Sequence, residues 1–366
     1  MSFLSTPLTR TTACAVGFTS LALAASPLVG DSLTTRYSKE RALEVSVTTE
    51  TTNEVTNMEI TIDGEPMDRG GRGGGGSTRT ISYSYTDTLL EAKDGMPTKV
   101  QRSFDEFRGA TESEGRDGPV EREAASSFEG ITVVLTATDD DVDAEVTDGD
   151  APDGDGRLTG HRLALPLDGL VPSDEIDAGD TWDVEGEALA IALGLGLERK
   201  LIDRPEREGG GEGRGGGGGR RGGMQRGGGG GGGLAALADG EWSITATYSG
   251  DTEEAGGVEC AIIKYEIEVE GTIEQPQRGG RRDRAAGPST TNVVPQETTY
   301  AGEFEGRLLW CIAEERPVQF TFEGSYQTEM ETERETQRGV MQMSRSAETT
   351  VNLTVEIGVA DAGNDD

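Results

Sequence analysis

A period-two alternation of apolar and polar residues constrains the fold of this chain more than any other feature. It is clearest between residues 258 and 326, where the large side chains of each segment fall on alternate positions: the odd positions Tyr265, Ile267 and Val269, and the even positions Tyr300, Phe304, Leu308, Trp310, Ile312, Val318, Phe320, Phe322 and Tyr326. Such alternation is typical of strands with one buried and one solvated face. We therefore predict an all-β, mainly antiparallel protein, built as a large curved sheet, a sandwich or an open barrel.

Further strands are predicted on both sides of this region. Their ranges are 43–62 (one strand or two in line), 80–92 and 98–107, 128–138 and 142–146, and 351–359. Asp94-Gly95 is a strong turn dipeptide and predicts a hairpin between the second and third of these strands. Helical periodicity is confined to Ala188–Ile202, where Gly194 and Gly196 weaken it. We expect at most one or two short helices.

The composition limits the size of the hydrophobic core and the classes of partner that the protein can bind. The chain has 366 residues, of which 33% are hydrophobic and 5% aromatic, so its core is lean. The formal net charge of −35 makes nucleic acid and anionic lipid poor partners for the body of the protein.

The first residues predict export. Residues 1–24 have the form of a secretory signal peptide, with Arg10 as the positive region, an apolar stretch over Ala13–Ala25, and a small-x-small cleavage site at Ala22-Leu23-Ala24. We expect the protein in the periplasm, on the cell surface or outside the cell. No other stretch approaches the roughly 18 apolar residues of a spanning helix. We expect residues 32–359 to form a single β-rich domain, followed by a flexible acidic tail over 360–366.

Three glycine- and arginine-rich segments, 69–77, 209–233 and 276–292, interrupt the strand pattern. Such sequences bury too little apolar surface to offset their conformational entropy, so we predict disordered loops. They are either tolerated inter-strand insertions or basic tethers that hold an acidic body to an anionic envelope polymer.

Removal of the signal peptide would leave two cysteines, Cys260 and Cys311. An even pair in an oxidising compartment predicts a disulfide, and both residues lie on the face opposite the large side chains of their strands. Direct pairing would also set Glu266 against Glu305, which is unfavourable. A two-residue shift of register would relieve this repulsion, and two unpaired cysteines remain an alternative.

An acidic run after residue 138 contains the one candidate metal site. Asp139, Asp141, Asp143 and Asp150 begin like a calcium-binding loop, because calcium takes several oxygens from alternate loop positions. Ala144 stands where the sharp-turn glycine belongs, and Asp150 replaces the usual bidentate Glu. A solvated acidic turn is the alternative, and we expect no other cofactor.

Several catalytic arrangements lack their residues. His161 is the single histidine, with nothing near it in sequence to support a nucleophile, so we expect it to be a surface or packing residue. Trp182, Trp242 and Trp310 are expected in the core. We therefore predict no catalytic residues and no enzymatic activity, although a carboxylate pair of the glycosidase type stays open in so acidic a chain.

A set of short motifs resembles a known group of proteins. It comprises Leu165-Pro166-Leu167 with Pro172, Gly179-Asp180-Thr181-Trp182, Ala246–Ile263, and Tyr300–Leu309 with Gly302 and Gly306. Together these are similar to a loosely defined family of uncharacterised secreted or lipoprotein-like bacterial β-proteins. The resemblance implies the fold and export, and implies no activity or site residues. The long glycine insertion and the missing lipobox cysteine depart from the family pattern.

These observations favour an exported, non-catalytic envelope or extracellular protein of structural or binding type. Its partner would be an envelope polymer, a glycan or a lipid, and not nucleic acid. The alternatives are an acid-pair glycoside hydrolase and a calcium-dependent adhesion module.

Overall fold

The computed structural model describes residues 31–39, 41–67, 75–115, 118–139, 141–152, 156–203, 234–238, 240–275, 296–336 and 339–360. Within these residues the fold is an antiparallel sheet of 13 strands, a separate two-stranded sheet and two short helices. The strands are β1 (Asp31–Ser32), β2 (Ala42–Ile62), β3 (Glu65–Pro66), β4 (Ser77–Lys93), β5 (Met96–Gly115), β6 (Gly118–Ala124), β7 (Thr132–Ala137), β8 (Val142–Asp148), β9 (Glu175–Ile176), β10 (Thr181–Asp183), β11 (Glu241–Ala255), β12 (Val258–Gln275), β13 (Gln296–Cys311), β14 (Arg316–Thr336) and β15 (Gly339–Val359). The helices are α1 (Gly186–Ala192) and α2 (Leu195–Leu201), and two 3₁₀ turns cover Asp168–Leu170 and Leu234–Leu237.

The order of strands in the large sheet is β10-β11-β12-β13-β14-β15-β2-β4-β5-β7-β8, with β3 added beside β2 and β6 beside β5. Every pairing is antiparallel, and most neighbours in the sheet are also neighbours in sequence. The main exception joins β15 to β2, where Val355 lies opposite Val47. The predicted all-β, mainly antiparallel class is therefore confirmed, in the form of one large open sheet.

Local turn chemistry accounts for the hairpins. Asp94 and Gly95 both have positive φ (54° and 83°), as the tight turn between β4 and β5 requires.

Residues 42–62 form one continuous strand. The predicted strand over 128–138 is wrong at its start: Phe128–Gly130 form a turn, and β7 begins only at Thr132. Gly130 has φ of 77°, which extended backbone does not allow.

Side chains of the predicted buried parity form the core. The rings of Tyr265 and Phe320 meet edge to face with centroids 5.7 Å apart, on β12 and β14, which flank β13. Gly306 of β13 lies between them, and a Cβ there would come within 3.0 Å of Tyr265 Cβ and 3.2 Å of the Phe320 ring. The glycine thus leaves room for two large side chains, each worth roughly 1.5–3 kcal/mol when buried.

An irregular cover, residues 156–203 and 234–238, packs on the buried face of the sheet. Its leucines join the same hydrophobic cluster as strands at both ends of the sheet: Leu165, Leu167, Leu170, Leu189, Leu193, Leu195, Leu201, Leu234 and Leu237. Tyr265 Oη donates to the Leu170 carbonyl (3.2 Å) from β12, and Arg102 Nη2 donates to the Arg162 carbonyl (3.2 Å) from β5. Because distant strands contact one cover, the sheet curves around it.

The helical segment predicted over Ala188–Ile202 is present as two helices. Gly194 separates α1 from α2 in the left-handed region, with φ of 66°. A Cβ at this position would lie 2.5 Å from Tyr83 Oη on β4, so the break also seats the helix pair closely on the sheet. Gly194, which weakens the helical periodicity in the sequence, is thus the residue at which the helical segment divides.

Cys260 and Cys311 lie directly opposite each other on β12 and β13, and both are buried. The alternative two-residue shift of register is wrong, since Glu266 faces Glu305 in the observed pairing. The structure contains both cysteines as free thiols, and burial, followed by the charge of Cys311, raises the pKa of Cys260 to about 11. The disulfide therefore stays a prediction.

Several predictions fall on residues outside the described part of the chain. They are the signal peptide over 1–24, residues 69–74 of the glycine-arginine segment at 69–77, the segments at 209–233 and 276–292, and the tail beyond residue 360. Among the described helices, none is both long and apolar enough to cross a bilayer.

Candidate functional site

A cavity of about 480 Å³ lies between the α1–α2 pair and the buried face of β2, β4 and β5. Most of its lining is apolar, from the sheet on one side and from the cover on the other: Val47, Tyr83, Tyr85, Ala164, Ala190 and Leu195. Its volume falls within the roughly 300–1,000 Å³ of small-molecule sites, which are also mainly apolar with a few placed polar groups.

On the sheet side, the polar group of the cavity is a buried ion pair. Arg102 Nε and Nη2 each donate to a carboxylate oxygen of Asp87 at 2.7 Å, and the guanidinium lies 4.2 Å from the centre of the Tyr85 ring. Arg102 is only 3% exposed. Burial is the largest single effect and opposes the charge of Arg102, but the Asp87 carboxylate, together with Tyr83 and Tyr85, raises the pKa of Arg102. Its charge is thus matched within the protein.

His161 lines the same cavity and is 3% exposed. Its ring centroid lies 5.9 Å from that of Phe104 and 6.2 Å from that of Phe128. Burial, together with the charges of Arg102 and Lys200, lowers the pKa of His161 to about 3, so the ring is neutral at ordinary pH. Neither ring nitrogen has a hydrogen-bond partner within the described residues. His161 is therefore a packing residue with unmet polar capacity.

The mouth of the cavity carries charged side chains from the cover. Arg162 Nη2 contacts Glu187 Oε1 at 2.6 Å, and these side chains are 54% and 76% exposed. Lys200 Nζ donates to the Thr159 carbonyl, and Thr159 Oγ1 lies 3.3 Å away. Among the described residues, the lining has four basic side chains (Arg102, Arg162, Arg199, Lys200) and one acidic side chain, Glu187. The whole chain has the opposite ratio, 33 basic to 68 acidic residues.

A second polar cluster fixes the wall that carries Ala164 and Pro166. Asp168 accepts hydrogen bonds from Thr35 Oγ1 (2.5 Å) and from Tyr37 Oη, while Tyr37 Oη accepts one from the Leu165 amide (2.8 Å). Burial raises the pKa of Asp168, and burial and the Asp168 charge raise that of Tyr37. These bonds hold the irregular cover to the segment that precedes β2.

The predicted calcium ligands are spread along a hairpin. Asp139 and Asp141 lie in the turn between β7 and β8, Asp143 is within β8 opposite Thr136, and Asp150 follows β8. Asp141 bonds its neighbours, with Val142 N donating to Asp141 Oδ1 at 2.8 Å. In the described ranges, no group of three or more acidic, Cys or His side chains is arranged to hold a metal. The calcium site remains a hypothesis.

The cysteines lie away from the cavity. Cys260 and Cys311 belong to a small separate cluster with Leu309, bordered by Val258 and Val318. The three tryptophans differ in burial: Trp310 is fully buried, whereas Trp182 and Trp242 are partly buried against the core.

The sequence contained an unused signal for the buried ion pair. Asp87 shares the buried parity of Tyr83, Tyr85 and Leu89, and Arg102 lies between Val100 and Phe104 on the buried parity of β5. Opposite charges on the inner face of one predicted hairpin indicate a buried ion pair, because burying either charge without a partner costs much free energy. The role of His161 had no such signal, since it depends on the fold of the irregular cover.

Comparisons with known proteins identify no family. No protein-family model matches the chain, and no curated protein matches it. Among solved structures, the chain is similar to the InvG secretin domain β-barrel from the Salmonella SPI-1 injectisome NC-base, with 11% sequence identity and a TM-score of 0.15. The match covers 89% of this chain and 65% of that chain. A TM-score of this size does not establish a shared fold.

Proposed function

We propose that the protein is an exported, non-catalytic binding protein of the envelope or extracellular space, which takes an apolar ligand in the cavity beneath α1 and α2. The observation that carries the proposal is the mainly apolar cavity of about 480 Å³ between the sheet and its cover. Apolar surface of this kind gains free energy when a ligand removes it from water, at roughly 25 cal/mol per Å².

The polar groups of the cavity support binding rather than catalysis. General acid–base catalysis is most efficient with a group whose pKa lies near the working pH, and the pKa of His161 is lowered to about 3. Arg102 is engaged by Asp87. Glycosidases need two carboxyl groups roughly 5–10 Å apart, and Glu187 is the one acidic side chain among the described lining residues. The glycoside hydrolase alternative has no support from this site.

Export rests on the sequence, through Arg10 and the Ala22-Leu23-Ala24 site. Mass spectrometry of the protein from its native host should find a chain that begins near residue 25. Recovery of an intact Met1 from envelope material would contradict export without affecting the binding proposal.

A neutral fluorescent probe tests the binding proposal. N-phenylnaphthylamine should gain fluorescence on titration with the protein and saturate at one site per chain. Ala190→Trp, which fills the cavity from α1, should reduce the affinity at least about tenfold, equal to a loss of about 1.4 kcal/mol. Ala137→Trp adds the same ring at an exposed position on β7 and should retain the site. Equal probe binding by both variants would refute the proposal.

A further inference from the structure

We propose that the ligand is a single-chain amphiphile with an anionic head group, such as a long-chain carboxylate, whose head lies at the mouth beside Arg162 and Lys200. The inference rests on the proposed function and adds the chemical class of the ligand. It is carried by the local charge at the mouth, where Arg162 and Lys200 lie beside Glu187, the one acidic side chain among the described lining residues, in a chain of net charge −35.

The basic groups differ in how far the protein already neutralises them. Arg102 is held by the buried Asp87 carboxylate and has no charge to spare. Arg162 contacts Glu187 in a pair that is more than half exposed, and such pairs contribute little, so a ligand anion can replace Glu187. Lys200 Nζ contacts only uncharged oxygens of Thr159 and has no carboxylate partner among the described residues. Arg162 and Lys200 are therefore the head-group contacts.

The interior favours a hydrocarbon tail over a sugar. Val47, Ala190 and Leu195 offer no hydrogen bonds to hydroxyl groups, and each hydroxyl buried without a partner costs about 1–3 kcal/mol. The tyrosine rings of Tyr83 and Tyr85 present further apolar surface from the sheet. A hydrocarbon chain meets no such cost.

The acidic body of the protein does not oppose this assignment at close range. At physiological ionic strength charges are screened over about 8 Å, so a head group at the mouth responds mainly to the side chains that surround it. The same screening predicts that preference for an anionic head declines as salt is added. An extended anionic membrane would instead meet the acidic surface as a whole.

Competition between two ligands of equal chain length tests the head group. Laurate and dodecanol, each below its solubility limit, displace N-phenylnaphthylamine from the wild-type protein. Laurate should compete at least about tenfold better at low salt. In the double variant Arg162→Gln/Lys200→Gln the two ligands should compete equally with the probe. Arg108→Gln removes a more exposed arginine that also pairs with a glutamate, Glu106, on the solvent face of β5, and should keep the preference.

The outcomes separate this inference from the proposed function. Equal competition by laurate and dodecanol in the wild-type protein, with the probe still displaced by both, would overturn the anionic head group and leave the apolar site intact. A preference for laurate that survives in the double variant would equally overturn the assignment to Arg162 and Lys200. Failure of the probe to bind the cavity would instead remove the proposed function itself. Thermal unfolding confirms that each variant is folded, and both substituted side chains lie at the mouth rather than in the core.

Discussion

Asp87 and Arg102 are direct partners across the β4–β5 hairpin, on its buried face, and are joined by two hydrogen bonds of 2.7 Å. The same guanidinium donates to the carbonyl of Arg162 at 3.2 Å. One ion pair therefore links the sheet to the cover at the cavity. Such a pair is costly to desolvate, and its main effect is to make the loss of one partner severe.

Removal of one partner of this pair should destabilise the fold strongly. Asp87→Asn leaves the Arg102 charge buried and uncompensated, and we expect the free energy of unfolding to fall by about 3–5 kcal/mol in urea titration. Replacement of both partners, as Asp87→Leu/Arg102→Met, should recover part of that loss. The single variants Asp87→Leu and Arg102→Met complete the comparison. If the double variant loses as much unfolding free energy as these two singles combined, the residues are not coupled and the account is contradicted.

The neutral state of His161 predicts a specific pH dependence. Between pH 6.5 and about 3, the unfolded chain binds a proton at this ring and the folded chain does not. The contribution of His161 to the free energy of unfolding is therefore complete above pH 6.5. As the pH falls below 6.5, this contribution decreases by about 1.4 kcal/mol per pH unit.

His161→Phe isolates this contribution. It keeps a ring between Phe104 and Phe128 but removes the proton site. The difference in unfolding free energy between wild type and variant should follow the slope given above. Burial also raises the pKa of the carboxyls of Asp168 and of Glu198 on α2, but both are present in wild type and variant and cancel. A difference that does not change between pH 7 and pH 4 would show that the ring is solvated.

Two glycines two residues apart should respond oppositely to alanine. Gly194→Ala places a Cβ 2.5 Å from Tyr83 Oη at φ of 66°, and we expect a loss of about 1–3 kcal/mol in unfolding free energy. Gly196→Ala in α2 meets no atom within 4 Å and should be neutral or up to about 1 kcal/mol more stable. Similar effects of both substitutions would mean that the left-handed junction is not required.

The direct register of Cys260 and Cys311 makes the predicted disulfide testable by thiol counting. Protein exported to an oxidising compartment, then unfolded without reductant, should titrate no free thiol. The bond would close a loop of about 50 residues, and the chain-entropy estimate for such loops is about 4 kcal/mol of stability. Two reactive thiols per chain would be the contrary result, and the cysteines would then be packing residues of their small cluster.

Sequence reasoning predicted the fold where the signal is local. Alternation predicts β12 to β15, Asp94-Gly95 predicts the β4–β5 turn, and Gly194 marks the break between α1 and α2. It did not predict the cover, because Leu165, Leu167 and Leu170 have no regular period and their burial depends on contacts with distant strands. The cavity is formed by that cover, so neither its existence nor the place of His161 could be obtained from periodicity.

The position of a bound ligand tests the central claim most directly. A crystal soaked with a brominated long-chain carboxylate gives an anomalous signal that locates the bromine independently of any assumed pose. With bromine at the end of the chain, the account predicts a single peak between Ala190 and Tyr83, with the carboxylate at the mouth beside Lys200. Peaks confined to the outer face of the sheet, with the cavity left to water, would contradict it.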